Sequence, residues 1–463
     1  MIAVSVQDIA GAVHGRLLAG DPERQINTVS TDSRTAVEGV LFVPLVGEHF
    51  DGHDYIDAAY RKGAAACLCA GEPKTLLEGL CYISVEDTRL ALKALAGWYR
   101  QKFSIPMIQV TGSVGKTTTK EMLAAVLSVR LRTLKTEGNL NNDIGVPRTL
   151  LRLMPEHQAA VIETGMNHAG EIRYLGEMVK PNIAVISNIG DAHIEFLGSR
   201  EGILQAKCEI LENLQPDGLA VFNGNDPLLN TVEPSCRVLR CGYGAHCQVR
   251  VLDFADRGVE GVFCRVQTEK DCYALEIPSP GEYMVYPAAF AVAVGEELGL
   301  SRTEIEGGVR DYAPAGARMN LQRLAGERWL LNDFYNANPQ SMAAALKVLV
   351  RIECGKRIAV LGDMGELGDI REQAHRDIGH LVGLLGIDCL IAIGPMAKWM
   401  AEEAEDAGCP EVLWFAEKAE ACPVIARCFE EGAAVLLKAS RYSGRFEQIA
   451  AYLTEEFKEE KHG

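Results

Sequence analysis

From Ile105 onward the chain carries short apolar runs, rich in β-branched residues, that fail to alternate: PMIQV, AAVIE, NIAVISNIG and GLAVFNG. Each is followed by a stretch of helical length. A half-exposed strand must alternate apolar with polar residues, whereas a run that is apolar throughout is buried on both faces. The pattern therefore demands a parallel sheet with helices on each side. After about residue 312 it restarts in RWLLNDFY, KRIAVLGDMG, DCLIAIG, EVLWF and AAVLLKAS, which predicts a second open, Rossmann-like sheet. Residues 236–280 alternate instead (RVLRC, VRVLDF, GVFCRVQ) and predict an antiparallel edge.

Ahead of these, VLFVPLV and AAACLC lie between polar turns such as GEHFDGHDY, as expected of a small mixed α/β domain. TRLALKALAGWYRQKF then has the periodicity of a helix. With 463 residues the chain is too long for one core. The expected fold is α/β in three domains: a small mixed N-terminal domain over 1–84, a central P-loop, parallel-sheet domain over 85–311, and a Rossmann-like C-terminal domain over 312–463. The closing EEFKEEKHG reads as a solvated helix terminus.

Lys and Arg number 46 against 63 Asp and Glu, a net charge of −17. That excludes a general nucleic-acid binder, which needs basic stripes, but not a nucleotide gripped locally by amides, metal and a few cations. The 14 cysteines are scattered, with no paired Cys-x-x-Cys motifs to mark zinc. The start MIAVSVQDIAGAVHG lacks a basic flank and apolar core, and no charge-free run reaches the ~18 residues of a spanning helix. A cytoplasmic protein without membrane insertion is the expectation.

Residues 110–119, VTGSVGKTTT, join the run PMIQV to KEMLAAVL. A full Walker A loop needs glycine where Val110 stands. What survives is Gly112, Gly115, Lys116 and Thr117 between a strand and a helix whose Met122, Val126 and Val129 share a face. Glycines let the amides of Thr111 to Thr118 (with Ser113 and Val114 between) approach phosphate oxygens, and a helix N-terminus favours negative charge. Lys116 can reach the β- and γ-phosphates and the Thr117 hydroxyl can ligate magnesium. A bare strand-to-helix turn is the alternative.

Glu163, ending AAVIE, places a carboxylate where a metal would sit, though acids at strand ends also serve as surface or capping groups. His193 follows a buried strand, on the side where open α/β sheets gather ligands, although a lone histidine is usually structural. Lys207 lies in ILQAKCEIL, a helical stretch in which it reads as an exposed cation. Asn139, Asn141 and Asn142 crowd a loop, TEGNLNNDIGVP, that could be only a turn.

Taken in order, TGSVGKTTTKEML, TEGNLNNDIGVPRTLLRL, ETGMNHAGEI, NIGDAHIEFLGSREGILQAK and NDFYNANPQSM resemble the Mur ligases of peptidoglycan synthesis. TDSRTAVEGVLFVPLVGEHFDGHDYIDAAYRKGAA resembles their uridine-nucleotide domain, so the likeness runs through all three segments. It implies an ADP-forming ligase using ATP and Mg2+. The GSVGKTTTKEM and YNANPQSM wording is most similar to the branch that joins D-alanyl-D-alanine to UDP-N-acetylmuramoyl-tripeptide. The resemblance implies phosphate and metal roles for Lys116, Thr117 and Glu163, a second metal at His193, and a carbamylated, metal-bridging Lys207. It further implies nucleotide roles for Arg318, Asp333, Tyr335, Asn336, Asn338 and Pro339. Asp32, Ser33, Arg34, Asp51, Gly52 and His53 match the substrate end, and Asn139, Asn141 and Asn142 join them; the chain is expected to act as a monomer.

Four positions depart from the family wording: Tyr283, Pro287 in place of an adenine-contacting asparagine, Thr164 and Ala439. Proline offers neither amide side chain nor backbone N–H. These bear on nucleotide preference and affinity more than on reaction type. The alternatives are a sibling amino-acid ligase of the Mur or folylpolyglutamate kind, a P-loop kinase or GTPase, and a weakened paralogue that only binds.

Overall fold

In the computed structural model, which describes residues 1–73, 75–441 and 445–458, three larger sheets follow one another along the chain. The central one has nine strands, ordered 272–277, 262–267, 249–256, 237–242, 219–223, 183–186, 107–111, 159–163 and 133–135. The four non-alternating runs form its buried parallel middle: Met107–Thr111, Ala159–Glu163, Ile183–Ile186 and Leu219–Asn223. Every one of their residues is buried, because neighbours along a strand feed opposite cores. Ile108, Val110 and Val161 pack with the helices Lys116–Ser128 and Val285–Glu297; Met107, Ala160 and Ile162 pack with Thr88–Arg100 and Glu171–Val179.

Two local expectations change. Arg237–Gly242, read as antiparallel edge, pairs parallel with Leu219–Asn223, and its start is less buried than its end. The antiparallel pairing is confined to Val249–Asp256, Val262–Gln267 and Cys272–Ile277. Val129 is 46% exposed: the helix ends at Ser128, and Leu123 and Leu127 complete the apolar face begun by Met122 and Val126.

The C-terminal sheet has six strands, ordered 320–324, 328–332, 433–438, 356–362, 389–393 and 411–415, all parallel except the first pair. Asn320–Leu324 was not expected as a strand. Glu411–Phe415 was expected to be buried but is an edge strand, with Trp414 41% exposed. The last helix among the described residues is Glu447–Glu456; residues 459–463, most of the predicted solvated tail, lie outside them.

The N-terminal sheet, ordered 16–19, 81–85, 64–70, 40–42 and 28–30, shares a core with the central one. The helix Thr88–Arg100 joins them, capped by Asp87, which accepts from the N–H groups of Arg89 and Leu90. Its Tyr99, fully buried, accepts from Ile2 N at 2.6 Å and donates to Leu153 O at 2.7 Å, tying the chain start to the central domain. Tyr99→Phe strands both partners, and we expect a loss of about 2 kcal/mol in chemical denaturation with an unchanged m-value.

All fourteen cysteines are free, and nine of them are buried. No helix among the described residues is long and apolar enough to cross a membrane.

Candidate active site

Parallel strands deliver their following loops to one sheet edge, and here two sheets turn those edges toward one another. From the central sheet come the loop after Met107–Thr111, Glu163 at the end of Ala159–Glu163, and His193 beyond Ile183–Ile186. From the C-terminal sheet come Asp333 after Arg328–Asn332, Glu366 after Lys356–Gly362, and Lys438 ending Ala433–Lys438. Together they line a cavity of about 640 Å³.

The Gly-rich loop is held from outside itself. Ser113 N donates to Asn188 O at 3.0 Å, Val114 N to Asn188 Oδ1 at 2.9 Å, and Ser187 Oγ to Val114 O at 2.6 Å. Two glycines are required by geometry. A Cβ on Gly112 would lie 1.9 Å from Ser187 Oγ, and Gly115 takes φ +80 as the N-cap of Lys116–Ser128. With Ser113 and Val114 engaged, the donors left facing the cavity are those of the first helical turn, Gly115 to Thr118, which have no intrahelical acceptor. Lys116 Nζ curls back to Gly112 O at 2.7 Å and Ser113 O at 3.4 Å. Burial is the main influence lowering its pKa, countered in part by Glu163.

Glu163 has no solvent exposure. Its Oε2 accepts from the Thr117 hydroxyl at 2.8 Å, its Oε1 from Asn141 Nδ2 at 2.8 Å, and Lys120 Nζ stands 3.8 Å away. A buried carboxylate beside a hydroxyl is a hard oxygen donor set that suits Mg2+. Asn139 and Asn142 line the cavity too, and Asn142 Oδ1 accepts from Gly145 N at 2.9 Å. His193 has left-handed backbone (φ 67), and its Nδ1 lies 2.7 Å from Glu366 Oε2, off the line a ring N–H would take. Burial holds the His193 pKa below its usual value against the opposing pull of Glu366, and the contact with His193 keeps Glu366 below the usual carboxylate range.

Lys207 is only 1% exposed, so the reading of it as a surface cation fails: the helix Arg200–Cys208 turns it inward behind the cavity wall. No carboxylate among the described residues pairs with it. Burial first, then repulsion from Lys116, takes its pKa well below normal.

On the facing side Arg318 stacks over the Tyr335 ring at 3.7 Å. Asn338 caps Pro339–Leu349 in a reciprocal box with Ser341, with Pro339 at the first helical position. The buried Lys438 ammonium pairs with Asp333 and donates to Asn336 O at 3.1 Å, setting the loop that carries Asp333, Tyr335 and Asn336. Burial raises Asp333 while Lys438 pulls it down. Lys438→Met would leave that carboxyl buried and unpaired; we expect about 3 kcal/mol less stability and a higher KM for the nucleotide, read by calorimetry and initial rates.

Tyr283 and Pro287 both line the cavity, with Tyr286 between them. Pro287 sits in the first turn of Val285–Glu297, where its missing N–H costs nothing. Thr164 is buried and engaged with Gln109 and Val110 O, and Ala439 lies in the C-terminal core.

Not every anticipated residue gathers here. Thr111 and Gly112 lie beneath the loop, and Lys207 behind it. Asp32, Ser33, Arg34, Asp51, Gly52 and His53 are outside the cavity, in loops after the parallel strands Thr28–Ser30 and Val40–Phe42. There Asp32 pairs with Arg34 at 2.8 Å, and Asp51 with His53 Nδ1 at 2.6 Å. Asn188, Gln340, Glu366 and Lys438 went unrecognised as site residues. Gln340 joins the Pro339–Leu349 helix to the central domain through Asp191, which Arg200 also holds at 2.6 Å.

Fold and cavity define a protein of the phosphate-loop class, with a Rossmann-like domain facing that loop across the cavity. Residues 25–100 match the Mur ligase family catalytic domain, 110–295 the Mur ligase middle domain and 317–441 the Mur ligase glutamate ligase domain. UDP-N-acetylmuramoyl-tripeptide–D-alanyl-D-alanine ligase of Bacillus subtilis (strain 168) is 36% identical over 458 residues, covering 98% of this chain and 99% of that protein. The crystal structure of MurF from Acinetobacter baumannii superposes with a TM-score of 0.90 at 34% identity, over 98% of this chain and 99% of that one. MurF ligase from Thermotoga maritima in complex with ADP gives 0.82 at 27% identity, over 93% and 97%. The chain belongs to the Mur ligase family.

Proposed function

We infer that this chain joins D-alanyl-D-alanine to the terminal carboxylate of UDP-N-acetylmuramoyl-tripeptide, consuming ATP in the presence of Mg2+. The observation that carries the reading is one cavity receiving a phosphate-type loop and a buried acid from one sheet and a nucleotide-type loop from another. The tripeptide carboxylate oxygen attacks the γ-phosphorus and the bond to ADP breaks, giving an acyl phosphate. The dipeptide amine then attacks the acyl carbon, inorganic phosphate departs and the amine proton passes to solvent.

In this proposal the chain's part is placement and charge. Lys116 swings from its own loop carbonyls to the β- and γ-phosphates, beside the amides of Gly115 to Thr118. Thr117 and Glu163 would hold one Mg2+, and His193 with a carbamylated Lys207 would hold a second. Bound there, Mg2+ would supply positive charge against the phosphoryl oxygens. Asn336, Asn338, Asp333 and Arg318 take the nucleotide, with Tyr286 a stacking surface beside Pro287. Asn139, Asn141 and Asn142 flank the reacting carboxylate, and the Asp32–Arg34 and Asp51–His53 loops hold the uridine end. Covering by the C-terminal domain keeps water from the acyl phosphate. We also propose that the domain limits fall near residues 84 and 311, and that the protein works in the cytoplasm.

The test supplies ATP, Mg2+, D-Ala-D-Ala and UDP-tripeptides ending in meso-diaminopimelate or lysine. One phosphate released per pentapeptide of the expected mass supports the reading; phosphate release without tripeptide, or none with every substrate saturating, overturns it.

A further inference from the structure

We propose that Cys389, Glu411 and Cys428 form a binding site for a thiophilic divalent cation of the Zn2+ class, remote from the nucleotide cavity. Cys389 and Glu411 begin the neighbouring parallel strands Cys389–Ile393 and Glu411–Phe415 and are direct register partners. Cys428 ends the helix Lys418–Cys428. One ligand atom from each lies within 4.8 Å of the others. Asp333, Glu366 and Lys438 lie at or beyond strand C-termini, so these three occupy the opposite end of the sheet. None serves the ligation.

The chemistry of the set selects the ion. Bond lengths of about 2.3 Å to sulfur and about 2.1 Å to oxygen put tetrahedral ligand atoms roughly 3.5–3.8 Å apart, so closing on an ion takes only small side-chain shifts. Two sulfurs favour Zn2+ over Mg2+ or Ca2+. Cys389 has no exposure and Cys428 has 9%, while the Glu411 side chain, 41% exposed, opens the way in and leaves the fourth position to water.

Charge discriminates further. Lys356 Nζ lies 3.0 Å from Glu411 Oε2. Two thiolates and one carboxylate carry three negative charges; a divalent ion and the Lys356 ammonium carry three positive ones. The buried cluster is then neutral, whereas a monovalent ion would leave an unbalanced charge. Exposed Glu430, 3.9 Å from Lys356, is screened by solvent. Without metal, an ordinary cysteine thiol is protonated at neutral pH. Binding thus exchanges two S–H bonds for two metal–sulfur bonds and gives two protons to the buffer, with no change of oxidation state.

The experiment uses the full chain, reduced and stripped with chelator, with Mg2+ in excess to occupy the oxygen-donor site. Added Co2+ should give the thiolate-to-cobalt absorption band, Zn2+ should abolish it, and two protons should be released per ion. Cys389→Ser with Cys428→Ser should lose the band, with retained ATP turnover reporting an intact fold. Glu411→Gln, which keeps both thiols, should bind about tenfold more weakly. Cys236→Ser, distant and half-buried, should behave as the parent. No band in the parent, or an equal band and affinity in the double variant or in Glu411→Gln, overturns the proposal.

Discussion

Lys116→Ala is expected to lower turnover about 10³-fold while leaving the unfolding midpoint nearly unchanged. The ammonium bonds only the carbonyls of its own loop, Gly112 O and Ser113 O, and that loop is pinned independently by Asn188 and Ser187. Removing it therefore takes away charge stabilisation at the transferred phosphoryl group and little structure. Phosphate release with saturating ATP and tripeptide measures the first; a denaturant melt measures the second. Turnover within a few-fold of the parent would remove Lys116 from the phosphate site. A collapsed melt would instead show that the loop, not the charge, had been lost.

The second large effect concerns Lys207. Its pKa is lowered by burial and by Lys116, so the folded chain holds this amine with fewer protons than the unfolded chain does. Stability then rises with pH between the depressed folded value and the ordinary lysine value, and below the folded value the full penalty of a buried, unpaired ammonium is present. A neutral amine is also the form that reacts with carbon dioxide. Turnover is therefore expected to fall in carbon-dioxide-free buffer and to return on adding bicarbonate. Lys207→Met should lose about 10²-fold or more in turnover and no longer respond to bicarbonate. Its stability at neutral pH should equal or exceed the parent's, since an apolar side chain replaces a buried amine that must give up its proton on folding. A Lys207→Met chain that turned over normally would exclude Lys207 from the metal site.

Much of the architecture was legible along the chain because it depends on local composition. Whether Val161 or Ile186 is buried on both faces is written in the absence of polar neighbours, and so are the sheet's parallel character and the loop's place at its edge. Reading failed where coverage depends on distant segments. Arg237–Gly242 alternates yet lies in the parallel part, and Glu411–Phe415 is apolar yet forms an edge. The same limit hid Asn188, Glu366 and Lys438. Asn188 matters because it sits across from Val114, Glu366 because it meets His193, and Lys438 because it reaches Asp333 and Asn336. None of these partnerships has a spacing that marks it.

By itself, then, the order of residues determined the strands, the glycine turn, and the residue types able to hold phosphate and a hard cation. Those follow from backbone sterics and side-chain chemistry acting over a few positions. Only the tertiary structure decided that Lys207 is hidden rather than exposed, and that two sheets aim their edges into one cavity. It also decided that two cysteines and a glutamate from separate elements meet. Burial and encounter are set by what packs against a residue from elsewhere in the chain.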